Sequence, residues 1–450
     1  MSHRHHPDIR RRLSATHCAV TLFLCAPITG IQLAGVPVRA QDAHSEMQPE
    51  PLLGGILMEE TLAAGLKEPI ALCTTNDNRI FVATRQGELH EVGPTLNPSR
   101  PLLTLDVFAD SECGLLGLAA APDFSETGRL YLFATTSPTE QTIFETTIRD
   151  GEASEPFVLR ASIPSNGDVH NGGCIRVGPD EKIYFSVGDT GETEEAQNIN
   201  SLAGKIGRIN LDGSVPSDNP FTSPTGARRS TYASGFRNPF RFHIQADGRL
   251  LVGDIGSDSP HRREEINLVT AGGNYGWPNV EGMREEDDPD GDFIDPIWLY
   301  VEEGQSIAGI VRYETGIFPE RVHGDIFLVD FVTNTIFHLT MDDDTPVAQE
   351  VFHETGAGPV ELITDGHGRL LFTEFYDGTV KRITLTGGIE LDEGESDDVT
   401  SSSSGEGASE PAPDVVSAPE STGFCGAGAV APTLFLSGLM LGWRCKDGQS

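Results

Sequence analysis

His170 and Asp189 are the residues of this chain whose types and placing most plainly invite chemistry. A histidine exchanges a proton near neutral pH. A carboxylate beside it holds the ring in one tautomer and stabilises its charged form. The stretch DVHNGGCIRVGPDEKIYFSVGDTGE, residues 168–192, sets His170 before one apolar run and Asp189 after the next. Folded as a hairpin, it brings both to one rim. Gly172 and Gly173 remove two Cβ atoms beside the histidine, which lets backbone or a flat ligand approach closely. On spacing alone, a turn histidine bonded to backbone is an equal reading.

Two further clusters lie downstream. In TYASGFRNPFRF, residues 231–242, Arg237 keeps its charge at every relevant pH and Asn238 offers both donors and an acceptor. Pro239 holds Asn238 extended, so the pair points in a fixed direction and suits an anionic or quinone oxygen. The stretch GDIGSDSPHRREEINLVTAGGNYGWP, residues 253–278, crowds Asp254, Asp258, Glu264 and Glu265 before glycines and aromatics. Calcium takes carboxylates and backbone carbonyls from irregular loops of this kind. The alternating acids of an EF-hand are absent, as is any His/Cys spacing for zinc. A solvated acidic loop is the competing reading.

These residues need elements to position them. Residues 51–388 show no long helical period; instead a polar turn followed by an apolar or aromatic run recurs. It reads NDNRIFV at Ile80, TGRLYLF at Leu130, DEKIYFS at Ile183, DGRLLVG at Leu250, HGDIFLV at Ile326 and HGRLLFT at Leu370. Such alternation of turns and β-formers marks hairpins. Six copies leave about 57 residues apiece, enough for four strands and their loops. The spacing predicts an all-β fold, a six-bladed β-propeller of four-stranded antiparallel blades. The widest gaps fall between Ile183 and Ile326, so long loops that carry function are expected there.

The flanks read as addresses. Arg10, Arg11 and Arg12 precede an apolar run, and Val38, Arg39 and Ala40 offer a cleavage site, so residues 1–40 are predicted to be an export signal. Residues 389–422 form an acidic Ser/Gly/Pro/Glu linker expected to be disordered. Residues 423–446 begin with FCGAG, continue apolar for about twenty residues and end in Arg444 and Lys446, resembling a bacterial carboxyl-terminal sorting tail. Export to the periplasm or cell surface is expected, with membrane or surface association through the tail. The 31 basic and 68 acidic residues leave a formal charge of −37, which excludes nucleic acid as a partner. Of seven cysteines, Cys73, Cys113 and Cys174 fall in the body, allowing at most one internal disulfide.

Several long motifs in order, ECGLLGLAAAPDF at 112–124, HNGGCIRVGPDEKIYFSVGD, GKIGRINLDGSVPSDNPF at 204–221, GFRNPFRF and REEINLVTAGGNYGWP, resemble the glucose/sorbosone dehydrogenase family. These are soluble quinoproteins with six-bladed propellers that use pyrroloquinoline quinone (PQQ) and calcium. The resemblance implies that His170 takes the proton of a sugar hydroxyl, supported by Asp189. It implies that Arg237 and Asn238 contact the quinone, the arginine stabilising charge on reduction, and that Glu112 faces substrate. Glu265 and Tyr275, with carbonyls near Gly256 and Ser257, match the calcium segment. Two departures stand out. Phe331, Val332 and Thr333 occupy the place of an expected lysine, and Gly358 and Val360 the places of expected arginines. Each lost charge-assisted bond is worth about 1.5–3 kcal/mol, so losing three weakens a tricarboxylate by several powers of ten. Arg262, Arg263 and Arg312 are candidate substitutes. The function implied is an exported PQQ-dependent dehydrogenase that oxidises the anomeric hydroxyl of an aldose to a lactone; the sugar and the external electron acceptor are not legible. The alternative is a non-catalytic, calcium-dependent surface propeller that binds carbohydrate or protein.

Overall fold

A computed structural model of the chain describes residues 55–93, 100–221, 229–257, 263–286, 288–300 and 305–386. The expected signal, linker and apolar tail lie outside these residues. Among the described residues no helix is long and apolar enough to cross a membrane.

Each recurring phrase becomes the second strand of an antiparallel blade: Ile80–Thr84, Arg129–Ser137, Lys182–Val187, Leu250–Asp254, Ile326–Asp330 and Leu370–Glu374. A second strand has a partner on either edge and another blade against each face. It therefore reads as a continuous apolar run instead of alternating. The last three of these strands are buried at every residue. Every blade has four strands, and the second carries an extra short strand, Glu152–Ala153.

The first strands of the blades, Pro69–Thr74, Leu115–Ala120, Ile175–Val177, Pro239–Ile244, Ile307–Arg312 and Pro359–Thr364, touch in that order, and the sixth returns to the first. The result is a closed six-bladed β-propeller. Both ends of the described chain share the last blade, where Ile56–Ala63 lies outermost against Thr379–Thr386, with Ile56 opposite Thr386. That pairing closes the ring and protects both edges. Cys73, Cys113 and Cys174 are buried and unbridged.

Antiparallel pairing sets the start of each first strand beside the end of each second one. Pro69 faces Thr84, Pro239 faces Asp254, Ile307 faces Asp330 and Pro359 faces Glu374. Residues entering the inner strands and residues leaving the second strands therefore gather at one mouth of the ring. Below it the central channel is crossed by charge, with Arg176 2.7 Å and Arg241 3.2 Å from the oxygens of buried Glu361.

Candidate functional site at the mouth of the channel

His170 enters the third blade with a left-handed backbone, φ 55°. Asp189 leaves that blade's second strand and is fully buried. His170 Nδ1 lies 2.6 Å from Asp189 Oδ1. The same oxygen accepts the Gly191 N–H at 2.8 Å, and Oδ2 accepts the indole N–H of Trp277 at 2.9 Å. Burial alone pushes the Asp189 carboxyl up, but the bond and charge of His170, with Gly191 and Trp277, hold it below its ordinary value. A carboxylate gripped this way keeps the proton on Nδ1 and leaves the lone pair on Nε2. The His170 N–H donates to Glu112 Oε2 at 2.8 Å. Glu112 is half-buried, and burial raises its carboxyl against the lowering effect of His170 and Arg237.

The glycine pair has a different reason from the one its sequence suggests. A Cβ on Gly172 would meet the Ser186 carbonyl at 2.8 Å, and one on Gly173 would run into Leu116. The missing Cβ atoms admit a neighbouring strand and a core leucine, not a ligand.

Because the folded carboxyl of Asp189 is lowered, its contribution to stability is present above the unfolded value of about 3.9 and is lost as pH falls through the folded value. Asp189→Asn is expected to melt below the wild type from about pH 5 upward, with the gap closing below about pH 4. Thermal melts across that range measure it. A gap that stays constant down to the lowest pH would remove the charge of Asp189 as its cause.

Arg237 and Asn238 enter the fourth blade and are held by Asp254 across the hairpin. The two backbone N–H groups donate to its two oxygens at 2.9 and 2.6 Å. Asn238 Oδ1 accepts the Gly172 N–H at 3.0 Å, and the Arg237 carbonyl accepts the Asp189 N–H at 2.7 Å. The Arg237 guanidinium donates to the Ile255 carbonyl at 3.2 Å and lies 5.7 Å from the Trp277 ring centroid. Trp277 thus ties the His170–Asp189 pair to Arg237. Burial and the facing Glu265 push Asp254 up, against the two N–H bonds it accepts.

The residues expected at a calcium ion are mostly committed to other partners, and the Tyr275 hydroxyl is bonded at the far end of the strand Glu264–Val269, near whose start Glu265 stands. Gly256 N–H donates to Glu264 at 3.3 Å, and Ser257 gives its N–H and O–H to Glu281 at 2.6 and 2.7 Å. The Tyr275 hydroxyl donates to the Leu268 carbonyl and accepts from Thr270 N–H, both at 3.0 Å, while its ring stacks on Phe236. Only carbonyl oxygens of these three are left for a cation. Glu265 accepts the Gly282 N–H at 2.6 Å and Asn267 at 3.0 Å; burial pushes it up to about 7. Among the described residues no group of three or more His, Cys, Asp or Glu forms a metal cage. Asp258 and Arg262 lie outside them.

A cavity of about 260 Å³ opens beside this cluster. Asn238, Glu112 and Ile255 line one end, while Phe331, Val360, Phe375 and Tyr376 line the other, with Glu68 and Arg85 at the wall.

The description Glucose / Sorbosone dehydrogenase matches residues 66–382, most of the chain and nearly all of the propeller. The chain belongs to this family. A relative, quinoprotein glucose dehydrogenase B of Acinetobacter calcoaceticus, is 33% identical over 262 residues, covering 51% of this chain and 54% of the relative. The match therefore spans little more than half of that protein. A solved oxidoreductase of Thermus thermophilus, described as a glucose dehydrogenase, aligns at 26% identity with TM-score 0.65, covering 73% of this chain and 100% of its own. The PQQ-bound form of an aldose sugar dehydrogenase from Streptomyces coelicolor shares the fold at 23% identity and TM-score 0.62, covering 74% of this chain and all of its own.

For a glucose/sorbosone dehydrogenase the fit to PQQ is divided. At one end Asn238 lines the cavity with polar atoms, and Arg237 lies next to it with its guanidinium on the Ile255 carbonyl. At the opposite end Phe331 and Val360 present no charge where lysine and arginine are the family's pattern. Arg312 is spent on Gly324, Gln245 and Asp344, and Arg263 lies 3.7 Å from Glu285, so neither serves the pocket. Among the described residues that line the pocket Arg85 alone is cationic, and it is paired with Glu68 at 3.0 Å, so three carboxylates outnumber their partners.

Proposed function

We propose that the protein is an exported sugar oxidoreductase that converts the anomeric hydroxyl of an aldose to a lactone. Oxidation of a carbinol releases a proton and a hydride. His170 Nε2 takes the proton, and Asp189 stabilises the resulting imidazolium. The hydride acceptor is a quinone bound as cofactor. Arg237 and Asn238 would hold such a cofactor, their fixed donors offsetting the negative charge it takes on when it accepts a hydride. Glu112 orients the sugar, and a calcium ion, if bound, would be held by Glu265 and by carbonyls of Gly256, Ser257 and Tyr275. The single observation that carries this reading is the His170–Asp189 contact of 2.6 Å, backed by Trp277 and joined to the pocket through the His170 N–H on Glu112. A surface module that only binds carbohydrate has no use for a buried, thrice-bonded carboxylate behind a histidine.

The test supplies the full chain with calcium, either PQQ or phenanthrenequinone as cofactor, a reducible dye and a panel of aldoses. Dye reduction with at least one aldose is expected. No turnover with either quinone on any sugar would overturn the proposal. Export by residues 1–40 and retention by residues 423–446 belong to the same proposal and are read by fractionating cells that express the full chain.

A further inference from the structure

The pocket is built from two unlike halves. One end holds Asn238 and Glu112; His170 donates its N–H to Glu112, and behind it Asp189 bonds both the His170 ring and the Arg237 carbonyl. The other end, where blades five, six and one converge, is aromatic. Phe331, Phe375 and Tyr376 pack with ring centroids 5.2–6.3 Å apart, and Val360 fills the space between blades.

The charged groups near this aromatic end cancel or are occupied. Arg85 donates Nε to Glu68 at 3.0 Å and Nη1 to the carbonyls of Ala109 and Ser111, both at 2.8 Å. In the channel below, Arg176 and Arg241 are committed to Glu361, and Arg241 also donates to the carbonyls of Ile70 and Leu116. Glu112 adds a carboxyl to the opposite end. A carboxylate pressed against the aromatic wall would lose its hydration and meet only Arg85, whose guanidinium lies 5.9 Å from the Phe375 ring centroid and is already paired with Glu68, so its burial is costly. An uncharged ring there gains by burial and by edge-to-face contact with the phenylalanines.

We infer that the aromatic half of this pocket selects an uncharged planar ligand: an ortho-quinone whose rings carry no carboxylates, with PQQ as the weaker ligand. The inference rests on the proposed function only in assigning the Arg237–Asn238 end to the quinone oxygens. The wall residues Phe331 and Val360 are then specificity determinants, and two of the positions at which this chain departs from its family become functional features.

Binding decides it without turnover. The full chain, loaded with calcium, is titrated with PQQ, with PQQ trimethyl ester and with phenanthrenequinone, following the intrinsic tryptophan fluorescence. Both uncharged quinones are expected to bind at least about tenfold tighter than PQQ. Val360→Arg is expected to raise PQQ affinity by about tenfold or more. Because Val360 is buried and the variant risks misfolding, Val332→Lys, at a 38% exposed position next to Phe331, is the second variant and is expected to act in the same direction. Wild-type protein that binds PQQ as tightly as its ester, or more tightly, would overturn the inference. His170→Ala is expected to leave the order of affinities unchanged while lowering turnover by about 10²–10⁴-fold. Failure of the ligand assignment and failure of the catalytic assignment thus appear in separate measurements.

Discussion

Replacing His170 by alanine is expected to lower kcat/KM for the aldose by about 10²–10⁴-fold, the usual worth of a positioned general base. The geometry argues for the upper part of that range. Nδ1 is fixed by a carboxylate that already accepts from Gly191 and Trp277, so the ring is held in one orientation with Nε2 as its acceptor. The variant is expected to keep its melting temperature within a few degrees. Position 170 already carries a positive φ, so the backbone strain of a non-glycine residue is present before and after the change. Added imidazole is expected to restore part of the rate, a readout that a structural role would not give. Unchanged kcat/KM would move the proton acceptor elsewhere, with Glu112 the next candidate, because its half-buried carboxyl is raised and bonded to the same loop.

The propeller was legible because its second strands are buried on both faces, which compresses each into an apolar phrase between turns. Its fourth strands were not. Leu103–Thr104 and Trp298–Tyr300 are short edge segments whose sequence carries no period. Nor does any local signal tell Ile56–Ala63 that its partner is the last strand of the ring. The same physics divides the site. His170 and Asp189 belong to one hairpin, so spacing alone places them together. Trp277 reaches Asp189 from the loops of another blade, and its only sign was an aromatic following glycines. Asp254 was visible as an acid in a crowded loop, but its task of receiving the N–H groups of Arg237 and Asn238 depends on cross-strand register. The glycine pair misled, because a missing Cβ reports a close approach and not what approaches.

Glu361→Ala is expected to destabilise the propeller by about 3–5 kcal/mol, the cost of leaving buried charge without its partner. Glu361 and Arg241 are each 1% exposed, and Arg176 donates to the other carboxylate oxygen at 2.7 Å. Arg241 and Glu361 are close but not aligned for a hydrogen bond, so their attraction is mainly that of charges in a medium poor in water. The three residues come from the first strands of blades three, four and six, and Arg241 also donates to carbonyls on the first strands of blades one and two. Removing the carboxylate leaves two guanidinium groups facing each other across the channel, so the loss falls on the ring as a whole. Glu361→Gln keeps the volume and an acceptor and is expected to cost less. By contrast, Glu91→Ala, which breaks the half-buried pair with Arg79 at the rim of the first blade, is expected to cost only about 1 kcal/mol. Chemical denaturation of the three variants reads the order. Equal losses at Glu361 and Glu91 would show that the channel charges are screened and that apolar contact between blades alone closes the ring.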